Sequence, residues 1–216
     1  MRTWTRSAAA VALLAAATLT PSSPAAAACR EADDVVLASN AHVRVVGDWI
    51  ECDGEPGRSY FGVSAGLRPD GPMHSLDYLG DDAVEIHSLR VRGRYVAYVS
   101  DWQEGEEEAA EFSLINARTG AIHRLDFTSY ATANAFGSFV LKPNGSTAWI
   151  VTDVTAAGDE PRIHVKRCPR ASCLRTRAQR PATVDSGRRI RMSSLRLSGS
   201  RISWLDGGTR RRSTLR

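Results

Sequence analysis

Apolar and polar residues alternate with a period of two in four separated stretches of the chain, and each stretch contains a glycine near its middle. Such alternation is typical of a β-strand with one buried face. Glycine adopts positive φ without steric cost, which favours a tight turn between antiparallel strands. The pattern predicts hairpins that turn at Gly47, Gly93, Gly145 and Gly199, within HVRVVGDWIEC (42–52), LRVRGRYVAYV (89–99), VLKPNGSTAWIV (140–151) and LRLSGSRISWL (195–205).

A second hairpin is predicted after each of the first three stretches. Its turns are Arg-Pro-Asp-Gly, Arg-Thr-Gly and a segment between two cysteines, within residues 59–79, 112–127 and 162–177. Four strands that recur about every 40–55 residues are typical of propeller blades. We therefore predict an all-β fold, a small β-propeller of about four four-stranded antiparallel blades, as a single domain over residues 29–216. The alternative is a two-sheet β-sandwich.

The fourth repeat is short, because only TRRRSTLR follows SRISWLDGG. A spare strand is predicted near the start of the domain, at residues 34–38. Pairing of this strand with residues 211–215 would complete the fourth blade and close the ring. Closure would remove the exposed edges of the sheets, so the sequence predicts that pairing.

The stretch VLKPNGSTAWIV resembles the TolB-like propeller repeat, which runs apolar, Pro, Asp or Asn, Gly, two residues, apolar, aromatic. The chain contains one good copy of this repeat and three degraded copies. The resemblance implies a secreted or envelope propeller that acts as a platform for protein interactions.

The N-terminus has the pattern of a cleaved signal peptide over residues 1–28. Arg2 and Arg6 precede an apolar run at 8–19, and an Ala-x-Ala site ends at Ala28. A membrane-spanning helix needs about 20 apolar residues, so this run is too short to span. We expect a secreted or extracytoplasmic protein without a transmembrane segment. A lipid anchor at Cys29 is the alternative, although it would leave an odd number of other thiols.

The four cysteines of an exported chain are expected to form bridges. Cys168 and Cys173 flank a predicted turn and would clip its hairpin, which leaves Cys29 to pair with Cys52. Neither pair has the C-x-x-C spacing of a redox site.

The two parts of the chain carry opposite charge. Residues 162–216 contain 16 basic and two acidic residues, a net charge of +14, whereas residues 29–160 contain 10 basic and 22 acidic residues, a net charge of −12. Such asymmetry marks a binding surface in some proteins. Alternatively, the two parts face each other within one domain and their charges largely cancel.

The repeat places one aspartate after the second strand of each predicted blade, and we interpret these residues as the candidate ligand-binding face. The predicted loops on that side, CDGEPGRS, SDWQEGEEEAAE, DVTAAGDE and DGGTRRR, exceed the turns on the other side. Long loops on a rigid scaffold commonly carry binding residues, and a tryptophan in one loop is a candidate anchor. Alternatively, each aspartate caps its own turn. The candidates are Asp53, Asp101, Trp102, Asp153 and Asp206.

No stretch of the chain carries a catalytic or cofactor motif in its required context. The G-x-S-x-G match at residues 62–66 is followed by a turn rather than a helix. The histidines and cysteines have no metal-ligand spacing, and no nucleic-acid motif accompanies the C-terminal arginines. We expect a non-enzymatic binding module for an unknown protein or glycan partner, without a metal or other cofactor. The alternative is a small extracellular hydrolase that uses acidic residues of the long-loop face.

Overall fold

The computed structural model describes residues 29–31, 35–52, 59–77, 84–104, 107–129, 135–153, 162–169 and 181–216. All regular structure in these ranges is β, which confirms the predicted class. The sixteen strands are β1 Cys29–Glu31, β2 Val35–Ser39, β3 Val43–Cys52, β4 Ser59–Leu67, β5 Met73–Asp77, β6 Val84–Arg92, β7 Tyr95–Glu104, β8 Glu107–Asn116, β9 Ala121–Ser129, β10 Phe136–Leu141, β11 Thr147–Asp153, β12 Arg162–Cys168, β13 Ala182–Gly187, β14 Arg196–Ser198, β15 Arg201–Asp206 and β16 Thr209–Thr214.

The strands form four antiparallel sheets in chain order, which we name A to D. Sheet A has the order β1-β3-β4-β5, and β2 pairs with β3 on the same side as β1. Sheet B is β6-β7-β8-β9 and sheet C is β10-β11-β12-β13. Sheet D has three strands, β14-β15-β16. Four sheets, rather than two, make the alternative prediction of a two-sheet sandwich wrong.

Three of the four predicted glycine turns are confirmed, and the first is wrong. Gly93, Gly145 and Gly199 lie in the first hairpin turns of sheets B, C and D with φ of 56°, 81° and 57°. Gly47 instead lies inside β3, where it is paired with Val35 on one side and with a β4 residue on the other. The first turn of sheet A is formed around Asn40, outside the predicted position.

The second hairpins are confirmed in sheets A and B and corrected in sheet C. The Arg-Pro-Asp-Gly turn joins β4 to β5, and the Arg-Thr-Gly turn joins β8 to β9. In sheet C, β12 pairs with β13 at residues 182–187, so the predicted returning strand before residue 177 is not the partner. Most of that predicted hairpin's second half lies outside the described residues.

The predicted ring closure through residues 34–38 is wrong. Strand β2 pairs with β3 of its own sheet, with Val36 opposite Val46 and Ser39 opposite Arg44. Strand β16 pairs with β15. The physical reason is local. A tight turn at Asn40 returns β2 directly onto β3, and Ala38 packs against the buried core between sheets A and B.

Neighbouring sheets pack against each other in series through three apolar clusters. One joins sheets A and B, a second joins B and C, and a third joins C and D. The first strands of neighbouring sheets also contact one another, β2 with β6, β6 with β10 and β10 with β14. Each inner sheet is therefore buried on both faces, as expected from its long runs of alternating apolar residues.

An aromatic residue on the second strand of each later sheet hydrogen-bonds to the last strand of the sheet before it. Tyr98 Oη donates to the Leu76 carbonyl at 3.0 Å, and Trp149 Nε1 donates to Asp126 Oδ2 at 2.7 Å. Trp204 Nε1 donates to Asp185 at 2.6 Å. The three aromatic side chains are buried. We call these contacts the first, second and third locks.

In each lock, the group that accepts the hydrogen bond lies at a β-bulge in the last strand of the earlier sheet. The register shifts where Phe112 is opposite Asp126 and where Val165 is opposite Asp185. In both bulges the next backbone N–H donates to the aspartate's Oδ1, which leaves Oδ2 for the indole. Bulges re-aim side chains in this way. Asp77 occupies the equivalent register position in sheet A.

Candidate functional site

The five predicted ligand-binding residues are not brought together by the described structure. Asp53 lies outside the described residues. Asp101 and Trp102 lie within β7, opposite Ala110 and Ala109 of β8, rather than in a loop after the strand. Within the described ranges, no three His, Cys, Asp or Glu residues are grouped so that they could hold a metal ion.

Asp153 and Asp206 are each the last residue of the second strand in their sheet, although Asp153 lies four residues after Trp149 and Asp206 two residues after Trp204. Each faces a basic residue on the third strand. Asp153 Oδ2 lies 3.6 Å from His164 Nε2, and Asp206 Oδ2 lies 3.6 Å from Arg211 Nη2. Both contacts run diagonally across an antiparallel pair. These carboxylates therefore have partners within their own sheets.

The sequence DGGTRRR is not a long loop. Gly207 and Gly208 form a two-residue turn with φ of 53° and 85°, and β16 begins at Thr209. Two consecutive positive φ values suit a hairpin turn that glycine fills at low cost. The loop-length argument for a binding face therefore does not hold in sheet D.

A cleft of about 510 Å³ lies at the opposite end of the sheets, where both hairpin turns of sheet A and the first turns of sheets B and C converge. Ligand sites in proteins commonly have volumes of about 300–1,000 Å³. One of its lining residues, Tyr95, is buried. The cleft is lined by His42, Leu67, Arg68, Gly93, Arg94, Tyr95, Pro143 and Asn144.

Close backbone contacts hold three of these turns together. The Asn40 side-chain amide donates to the Gly93 carbonyl at 3.0 Å, which joins sheet A to sheet B. A Cβ at Gly93 would lie 2.7 Å from the Pro143 carbonyl oxygen. A glycine is therefore needed there for sheet B to approach sheet C, in addition to its positive φ.

The cleft lining is cationic. Arg68 and Arg94 contribute positive charge, His42 contributes an imidazole, and no carboxylate is among the lining residues that the structure describes. The Arg94 guanidinium lies over the Tyr95 ring, 5.6 Å from its centroid, a contact that restrains the side chain. Guanidinium groups bind carboxylate and phosphate through paired hydrogen bonds. This lining can therefore hold an anionic group.

Sequence reasoning missed the cleft, because its residues come from four separate turns, two of sheet A and one each of sheets B and C. The available signal was an arginine at two of these turns, in Leu67-Arg68-Pro69 and in Arg92-Gly93-Arg94. Which turns meet is decided by the packing of the sheets, and no periodicity within one sheet reveals it.

Three of the four cysteines lie in the described residues, and the predicted pairing of Cys29 with Cys52 and of Cys168 with Cys173 stays a prediction. Cys29 of β1 and Cys52 of β3 are direct register partners. Cys168 is fully buried at the end of β12 and is disulfide-bonded. Cys173 lies outside the described residues, so its pairing with Cys168 stays a prediction.

No protein-family model matches the chain, and no curated protein matches it. In the described residues, no helix is long and apolar enough to cross a membrane.

Proposed function

We propose that the chain is an exported, non-enzymatic binding module. Its ligand site is the cationic cleft at the end of the sheets that carries the first hairpin turns. The single observation that carries this proposal is that Arg68, Arg94 and His42 line one cleft, with no carboxylate among its described lining residues. The ligand is an anionic group, a carboxylate or phosphate, of a protein or glycan partner. The cleft needs no cofactor for this role.

We propose further that the four sheets are blades of a propeller-type array. Support comes from their packing in series, the contacts among their first strands and the three locks. Neither half of an equivalent lock between sheets D and A is found among the described residues. Val46 occupies the aromatic position in sheet A, since it is opposite Ser64 as Tyr98 is opposite Ser113. Sheet D has no described fourth strand.

The extracytoplasmic location rests on the signal-peptide pattern of residues 1–28, with the lipid anchor at Cys29 as its alternative. The TolB-like resemblance fits the same location and the role of an interaction platform. The hydrolase alternative has less support. Two of its candidate acids in the described part of the chain, Asp153 and Asp206, lie 3.6 Å from a histidine or an arginine side chain of their own sheet.

Removal of either cleft arginine is expected to weaken anion binding. Arg68→Ala and Arg94→Ala should each reduce affinity for acidic monosaccharides or inorganic phosphate about tenfold, the loss of one charge-assisted contact. Arg118→Ala is the matched control, because Arg118 is exposed in the β8–β9 turn and does not line the cleft. Isothermal titration calorimetry with each probe measures the effect. Equal weakening by the Arg118 variant, or no anion binding by the wild type, would refute the proposed site.

Export and oxidation are tested separately. The mature protein should begin at or near Cys29 and contain no free thiol. N-terminal sequencing and thiol labelling under native, non-reducing conditions check this expectation. Retention of residues 1–28 in secreted material, or stoichiometric labelling, would show it to be wrong.

A further inference from the structure

In the described part of the chain, sheet D has one strand fewer than sheets B and C. Those sheets continue to a fourth strand, whereas β16 pairs with β15 alone among the described strands, and Arg167 of β12 donates to the Thr214 carbonyl at its end. The hydrogen bond from Leu215 N to the Ser200 carbonyl sets the phase of the ladder. Because bonded pairs alternate in an antiparallel ladder, the backbone N–H and C=O of Arg210 and Arg212 point away from β15, toward the open edge.

The side chains of this edge strand differ from those at equivalent positions in the other sheets. Val63, Phe112 and Val165 are completely buried and face the following sheet. Arg210 occupies the same register position in sheet D, one residue before the partner of Trp204, and it is exposed. Sheet D therefore presents charge where its neighbours present a packing surface.

The basic character extends over the whole outer face of sheet D. The register places exposed arginines of all three strands on this one face, Arg196, Arg201, Arg210 and Arg212. No ion pair of the described residues involves any of the four. Their positive charge is not neutralised by an ion pair in the described part of the chain.

The other sheets indicate the chemistry of a missing fourth strand. Asp77, Asp126 and Asp185 lie on the fourth strands, opposite Val63, Phe112 and Val165. A strand added to β16 in the same register would place its acidic residue opposite Arg210. An opposite-charge pair across two strands is favourable, and like charges there are destabilising.

We propose that β16 is a docking edge to which an extended acidic peptide segment of another protein adds as the fourth strand of sheet D. Main-chain hydrogen bonds to Arg210 and Arg212 supply affinity, and the arginine side chains select acidic sequences, as in other cases of strand addition. A second copy of this chain is a poor occupant, because pairing two β16 edges would oppose arginine with arginine. The site lies apart from the cleft and does not depend on it.

The test uses the full mature chain and synthetic acidic peptides of about eight residues that alternate Asp or Glu with Val or Thr. Fluorescence anisotropy measures their binding at low and moderate salt. Arg212→Ala removes the charge and keeps the outward N–H, whereas Arg212→Pro removes both without breaking a bond to β15. We expect the proline variant to bind at least about fivefold more weakly than the alanine variant, the value of one hydrogen bond. A peptide N-methylated at alternate residues should lose binding to the wild type.

Two controls keep the result decisive. Arg196→Ala removes a charge from the same face on β14, away from the edge, and it should leave binding close to that of the wild type. Thermal unfolding checks that each variant is folded. If the proline variant does not fold, the N-methylated peptide still tests whether the backbone of β16 bonds to the peptide. If Arg196→Ala and Arg212→Ala weaken peptide binding equally and N-methylation has no effect, strand addition is refuted. The peptides then bind by charge attraction to the outer face of sheet D. Failure of every acidic peptide to bind the wild type would overturn the proposal and leave the arginines as protection against aggregation.

Discussion

Replacement of Trp149 by alanine is expected to lower the free energy of unfolding by about 3–5 kcal/mol. Trp149 is 1% exposed and packs on Phe112, with ring centroids 4.9 Å apart. Its indole also donates to Asp126, so truncation removes both the packing and the second lock. Since domains are stable by only about 5–15 kcal/mol, a large part of the stability would be lost. Urea unfolding followed by tryptophan fluorescence and circular dichroism measures the change.

A double-mutant cycle separates the hydrogen bond from the packing. Trp149→Phe keeps an aromatic ring and removes the indole N–H, and Asp126→Asn removes the charge of the acceptor. Hydrogen bonds to charged groups contribute about 1.5–3 kcal/mol. Asp126 also binds Lys166 Nζ at 2.9 Å, so the aspartate variant should cost more than the tryptophan variant. Strictly additive effects in the double mutant would show that the lock contributes no coupling.

The hairpins that were predicted correctly have turns that demand a particular residue. Gly93, Gly145 and Gly199 each supply a positive φ at a turn, and few other residues do so at low cost. Gly47 failed as a prediction because the alternation continues on both sides of it. That pattern fits one ten-residue strand as well as two short ones. The actual turn was signalled by Asn40, whose Oδ1 accepts from the backbone N–H groups of His42 and Val43.

The locks were not predicted, although the sequence contains a recurring pattern at their acceptor residues. An apolar residue followed by aspartate recurs in the last strands of sheets A, B and C, as Leu76-Asp77, Leu125-Asp126 and Val184-Asp185. This pattern cannot be interpreted before the arrangement of the strands is known, because each lock joins residues about 20 positions apart in different sheets. The choice of the strand-end aspartates as a binding face failed for a related reason. Sequence position gave no sign of the basic neighbours of Asp153 and Asp206.

The charge asymmetry illustrates the same limit. In the alternative interpretation, the acidic and basic parts of the chain face each other and their charges cancel. The ion pair between Asp126 and Lys166 agrees with that interpretation. It is not met on the outer face of sheet D, where the arginines have no acidic partner in the described structure. Net charge alone does not distinguish these outcomes, because the alternation of side chains across a strand decides which face each arginine occupies.

Leu215→Ala is expected to destabilise the fold by about 2–5 kcal/mol, the usual cost of emptying a fully buried leucine site. Leu215 follows β16 and is 0% exposed within the cluster between sheets C and D. Its carbonyl accepts from Lys142 Nζ at 3.0 Å, which ties the end of sheet D to the first turn of sheet C. Thr214→Ala is the matched control, because this neighbouring side chain is exposed and such substitutions usually change stability by less than about 0.5 kcal/mol.

The serial packing of the sheets makes a sharper prediction about combinations of these variants. Leu215 and Trp204 share the cluster between sheets C and D, whereas Trp149 lies in the cluster between B and C. Leu215→Ala should therefore be non-additive with Trp204→Phe and nearly additive with Trp149→Phe, since coupling is confined to residues that share partners. Denaturant midpoints of the single and double variants measure both couplings. Coupling of equal size in the two pairs would contradict independent junctions between neighbouring sheets and would indicate one continuous core.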